Sequence, residues 1–297
     1  MTGLRNGVSH TVSVTASNSA GAGASAFGDT FVPQAPAGTF TRTWNGTTSS
    51  DWSVAANWTP AAVPTNANDV VIPAGTPNSP AITASCSALS LTVNATATLG
   101  LGAFNCQVGG NVFADGQITG AGAVQLAVTS QVRGRISNLQ VSGAVTAVGQ
   151  LSVSGNVTTT GATGDLIMNG HKANISGNLT TQGGALFTMT NILDTVQVLG
   201  NALFSGGSTA GHLTQGALIV GGGFTQSTTA SSFSAGGNHR VVILGAVNHA
   251  IAFSDPVNSR FQGLDLGSNA ATYTLASNVT VLGQLISKPP GITPPVV

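Results

Sequence analysis

The side chains able to do acid–base chemistry in this chain are few and scattered. All eight acidic residues are aspartate: Asp29, Asp51, Asp69, Asp115, Asp165, Asp194, Asp255 and Asp265. Glycoside cleavage needs two carboxyl groups flanking one bond, one as proton donor and one as base or nucleophile. No two of these aspartates lie within three residues of each other. Two groupings come nearest to a site: Asp165 with His171 and Lys172, and His239 with Arg240 and His249. Both read as solvated turn residues. Phosphate loops, Gly-x-Ser-x-Gly elbows and His-Glu-x-x-His pairs are absent. Calcium-binding Gly-Gly-x-Gly-x-Asp units are absent as well. The sequence therefore assigns no catalytic residue, no cofactor and no metal site.

Two other sets of residues invite a chemical reading. The separation of Cys86 and Cys106 is close to the repeat length described below. Stacked turns would bring them to about 5 Å, within reach of a disulfide. A bridge would suit an oxidising compartment; two buried free thiols are the other arrangement. Without Cys-x-x-Cys spacing they make neither a redox motif nor a structural zinc site. Trp44, Trp52 and Trp58 fall within one short stretch. Aromatic faces stack on sugars, so these three are candidate glycan-stacking residues. They equally suit a lid over the end of a stacked fold, because each indole buries a large area.

What would position these residues is a repeat. Short alternating apolar runs such as Leu151-Ser152-Val153, Leu218-Ile219-Val220 and Leu264-Asp265-Leu266 each precede a glycine, at Gly155, Gly177, Gly200, Gly222, Gly245 and Gly267. The interval is about 22 residues each time. Carried upstream, the same interval falls on Gly134 and Gly110. A fixed period of this length marks a solenoid, in which each repeat buries its apolar face by stacking on the next. Alternation of period two makes the repeating element a strand. The pairs Gly110-Asn111, Gly155-Asn156, Gly177-Asn178 and Gly200-Asn201 predict one turn per coil, with glycine and asparagine supplying positive φ. Stacked asparagine amides predict a partial ladder along the axis. Phe104, Phe113, Phe187, Phe204, Phe224, Phe233, Phe253 and Phe261 are expected in the apolar stack. About nine coils between Leu89 and Leu285 would make a rod of roughly 40 Å.

Composition agrees with an all-β chain. Charged residues make up 5% of the 297 positions, and the net charge is zero, against roughly 25% charged in an ordinary domain. Eight Lys and Arg in all form no basic stripe, so nucleic acid is not an expected partner. Arg133 and Arg135 read as two solvated strand residues. No apolar run approaches the ~18 residues of a membrane helix, and the N-terminus lacks the apolar core of a signal peptide.

Two resemblances add to this. Thr2-Gly3-Leu4-Arg5-Asn6-Gly7 followed by Thr11-Val12-Ser13-Val14-Thr15-Ala16-Ser17-Asn18 resembles the last two strands of a fibronectin type III domain, with His10 where that family carries its corner tyrosine. Trp44-Asn45-Gly46, Asp51-Trp52, Asn57-Trp58 and Asp69-Val70-Val71-Ile72-Pro73 resemble the opening segment of bacterial extracellular β-solenoid proteins. The expected organisation is a fibronectin-like fragment over 1–33, a linker over 34–38, a Trp-rich cap with first strands over 39–88, a solenoid over 89–287 and a Pro-rich linker over 288–297. The expected fold is a right-handed parallel β-helix of about 22 residues per coil, its hand taken from the resemblance. The resemblance implies an adhesive or structural segment, a stalk or display module of a secreted or cell-surface bacterial protein. Its secretion signal would lie upstream. Expected partners are glycans, host or neighbouring cell-surface proteins and other modules of a longer chain, without membrane insertion. The competing reading is a polysaccharide-binding or polysaccharide-cleaving β-helix.

Overall fold

The computed structural model describes residues 10–31, 40–228, 231–245, 248–267 and 271–287. The expected linkers at 34–38 and 288–297 lie outside the described residues. The chain divides into two units, Met1–Phe40 and Thr41–Val297. In the first, His10–Val14 pairs antiparallel with Ala26–Phe31, with a register shift between Thr11 and Ser13. A smaller pairing of Ser17–Asn18 with Gly21–Ala22 closes the hairpin.

The second unit is a parallel β-solenoid of about ten turns, roughly 21 residues each, with almost no helix. One ladder stacks ten parallel strands from Cys86–Ala88 to Tyr273–Leu275. A second, longer ladder runs from the Trp-rich segment to Leu285–Ser287. Shorter pairings, Thr98–Gly100 with Gln117–Thr119 and Asp165–Ile167 with Leu186–Thr188, complete a three-sided cross-section. The strands alternate as their sequences do. In Ala217–Val220, Leu218 and Val220 point inward and are fully buried.

The spacing is not constant. Val157 pairs with Leu179, and Leu179 with Ala202, each after a winding of the length that the glycines mark. The winding from Val124 to its partner Leu139 is much shorter. The short turns arise because Ser130–Ile136 and Ala144–Val153 bend around a corner as continuous strands. The first half of Ala144–Val153 pairs with Asp165–Ile167, and its second half with Lys172–Ile175. Gly134 sits at the register shift of this corner, at φ 100°. Gly110 lies where the ten-strand ladder leads into the longer one, whereas Gly155 lies where the longer one leads back. Neither Gly110 nor Gly134 therefore belongs to the row that begins at Gly155.

That row works differently from the expectation. Gly155, Gly177, Gly200 and Gly222 do not have positive φ. They are small because the turns approach closely: a Cβ on Gly177 would overlap Asn156 Oδ1 and lie 2.6 Å from the Gly155 carbonyl oxygen. The asparagines do not bond amide to amide. Each Oδ1 accepts the backbone N–H of the next turn: Asn156 N–H donates to Asn138, Asn178 to Asn156 and Asn201 to Asn178, all at 2.8 Å. The row ends where Gly223 N–H donates to Asn201 at 2.7 Å.

The core is one continuous apolar column. Phe187, Phe204, Phe224, Phe233, Phe253 and Phe261 are buried in it, with centroids such as Phe204–Phe233 4.7 Å apart. Phe104 and Phe113 are not part of it. Val112 and Ala114 take the two inward positions of their strand, which turns Phe113 outward under the Arg133 guanidinium, 4.3 Å from its ring centre. Phe104 follows the turn after Leu101 and is 39% exposed.

Candidate functional site

The Trp-rich segment closes one end of the longer ladder. Arg42–Trp44 adds a parallel strand to Asp69–Ile72, and Trp58–Thr59 then pairs with it antiparallel. Pro60 follows at once, so the edge cannot easily accept another strand. All three indoles are buried: Trp44 is 0% exposed, Trp52 5% and Trp58 1%. Trp58 stands edge-on to both others, with centroids 5.0 Å from Trp44 and 4.6 Å from Trp52. Trp44 Nε1 donates to the Asn78 carbonyl at 2.7 Å, and Trp58 Nε1 to the Trp52 carbonyl at 2.9 Å. Gly46, at φ 58°, leaves room for that Asn78 contact.

Buried Asn57 organises the loop between them. Its Oδ1 accepts from Thr48 and Ser49 N–H, and its Nδ2 donates to Ser49 Oγ and the Asp51 carbonyl. The glycan-stacking expectation for Trp44, Trp52 and Trp58 is thus corrected. With their faces against one another and the core, and two N–H groups tied to backbone carbonyls, they offer a sugar no open platform.

Cys86 and Cys106 occupy opposed positions on neighbouring parallel strands, with Cα atoms 4.5 Å apart, and are joined as a disulfide. Both side chains face the core, Cys106 at 0% exposure and Cys86 at 8%.

The two acid–base groupings read from the sequence are not assembled. No hydrogen bond or ion pair joins Asp165 to His171 or Lys172 among the described residues. Asp165 belongs to a different row. Thr188 Oγ1 donates to Asp165 Oδ2 at 2.8 Å and lies 2.9 Å from His212 Nδ1. Ile167 pairs with Thr188, and Met189 with Leu213, so three successive turns each contribute one member. Burial raises the Asp165 carboxyl above its usual range, while the Thr188 hydroxyl and His212 pull it back. Its Oδ1 is buried without a partner.

The second grouping is dispersed in the same way. His239 points into the core near Phe233, with neither ring nitrogen partnered, and burial pushes it down to about 4. Arg240 pairs outward with Asp265. His249 bonds through Nδ1 to the Gly222 carbonyl at 2.8 Å and stacks on Tyr273.

Elsewhere, Arg133 forks onto Asp115 with bonds of 2.9 and 2.8 Å. That pairing holds the carboxyl below its usual range. Asp51 is lowered by the backbone N–H and hydroxyl of Ser53. Among the described residues no three His, Cys or Asp side chains group as a metal site would need. Local sequence proximity does not link Thr188 and His212 to Asp165, but the repeat length does. Thr188 follows Asp165, and His212 follows Thr188, by one turn each.

Residues 43–151 match the family model described as Domain of unknown function (DUF8693). This stretch begins at the capping strand, holds all three tryptophans and both cysteines, and ends in the second corner-turning strand. No curated protein and no solved structure matches the chain. No catalytic family is among the matches.

Proposed function

We propose that the chain is a non-catalytic stalk or display segment of a secreted or cell-surface bacterial protein, carried with other modules, and that residues 1–33 belong to a fibronectin type III-like module. The observation that carries this reading is the asparagine row. Exposed amide oxygens that a binding face would turn toward a ligand instead accept bonds from one turn to the next. The capped edge, the three buried tryptophans and the continuous core serve the same end, a stiff column that resists unpairing. Ten strands in one ladder leave nine steps of about 4.8 Å, so the column separates whatever it joins by about 43 Å. Glycans and neighbouring surface proteins are partners of the attached modules in this reading.

The test places the chain between a surface anchor and a reporter domain. Removing residues 157–201, two whole turns, should lower the reporter by about 10 Å and leave reporter binding intact. Retention or cleavage of a polysaccharide by the isolated chain would overturn the proposal.

A further inference from the structure

The row formed by Asp165, Thr188 and His212 does something that stacking alone does not require. Thr188 has one hydroxyl proton, and it goes to Asp165 Oδ2. The hydroxyl oxygen is then free only to accept, so the 2.9 Å contact with His212 must carry its proton on Nδ1. A neutral imidazole protonated at Nδ1 keeps its lone pair on Nε2. His212 is partly exposed, and Nε2 is not among the buried unpartnered atoms. We propose that Asp165 and Thr188 form an inter-turn relay that fixes His212 as the Nδ1–H tautomer and presents its Nε2 as a proton-accepting site on the solenoid wall.

The surroundings isolate this site. Ala144–Thr146, the strand paired with Asp165–Ile167 from the preceding turn, holds no titratable group. Leu186–Thr188 adds none, and residues 209–215 contribute His212 alone. The described residues of the following turn, 231–236, are serine, phenylalanine, alanine and glycine. Asp165 and His212 are therefore the two ionising partners, with Thr188 between them. The largely desolvated Asp165 carboxyl takes the Thr188 proton, and so sets which way the hydroxyl faces His212. The geometry thus orders one hydrogen bond after another across three turns, from His212 Nδ1 to the Thr188 hydroxyl and on to Asp165 Oδ2.

The test is ¹⁵N-resolved NMR of histidine-labelled protein above pH 8, where ring shifts report which nitrogen bears the proton. Wild type should show His212 protonated at Nδ1. Thr188→Ser and Asp165→Asn retain a donor and an acceptor at the two positions and should preserve that tautomer. Thr188→Val should return His212 to the mixture rich in Nε2–H that an unconstrained histidine side chain shows. In Asp165→Ala the freed hydroxyl can turn and donate to Nδ1, which should move the proton to Nε2. Unchanged histidine signals elsewhere, including those of buried His239, verify the fold of each variant. An Nε2–H His212 in wild type, or a tautomer indifferent to Thr188→Val, would overturn the proposal.

Discussion

Gly177→Ala separates two explanations of the repeat glycines. Gly177 does not have positive φ, so alanine fits its backbone conformation. Judged on conformation alone, the substitution would stabilise by about 0.4–1 kcal/mol through the unfolded chain. The packing predicts the opposite sign. The new Cβ would overlap Asn156 Oδ1 and come within 2.6 Å of the Gly155 carbonyl oxygen. Overpacking of this kind costs roughly 1–3 kcal/mol. Displacing Asn156 also forfeits its 2.8 Å bond from Asn178 N–H, worth about 0.5–1 kcal/mol at an exposed position. The net expectation is a loss of roughly 1–3 kcal/mol.

Asn156→Ala removes one of the two overlapping groups, so the pair should not be additive. Urea denaturation of wild type, both single variants and the double variant measures this. The double variant should be at least about 1 kcal/mol more stable than the sum of the single losses. A neutral or stabilising Gly177→Ala, or additivity within about 0.5 kcal/mol, would refute the close-approach reasoning.

Other outcomes follow from the same geometry. Intact mass without reductant should show Cys86 and Cys106 two hydrogens lighter than the thiol form. Reduction should lower stability by about 3 kcal/mol for a loop of this size. Trp58→Ala should cost about 3–5 kcal/mol by chemical denaturation, and soluble polysaccharides should leave the native tryptophan emission unchanged. Asp165 has a folded pKa above its unfolded value. Its contribution is therefore favourable at pH below the unfolded value and is lost as pH rises through the folded one. Asp165→Asn should consequently gain on wild type as pH increases from about 3.9 toward neutrality, read as denaturation midpoints across that range. A constant difference would count against the burial of this carboxyl.

The parts of the structure legible in the sequence are those set by local alternation. Leu218-Ile219-Val220 shows its inward and outward faces directly, and stacking at one-turn intervals follows from the glycine period. The position of the Gly-Asn corners was legible, but their chemistry was not. Positive φ and close backbone approach select the same residue, and sequence cannot tell them apart. The short turns around Val124 and Leu139 escaped because a strand that bends through a corner leaves no turn residue to mark it. Phe113 went outward because parity along Val112–Ala114 outweighs the hydrophobicity of one ring when an arginine covers it. The tryptophans announced an end of the stack, while the direction of their faces depended on Asn57 and Asn78 and could not be read locally. Along the chain Asp165 stands near His171 and Lys172, whereas its partners lie one and two turns away.

Spin labels at Gln107 and Ala252 give the most direct measurement. Both point outward on the ten-strand ladder, in one register row through Gln125, Gln140, Thr158, Thr180, Leu203 and Thr225. Seven steps of about 4.8 Å should place them about 34 Å apart. Excising residues 180–202, one complete winding, should preserve the fold and bring the labels closer by that single step. A distance that stays put, or a chain that no longer folds once the winding is removed, would contradict a column of sequentially piled turns.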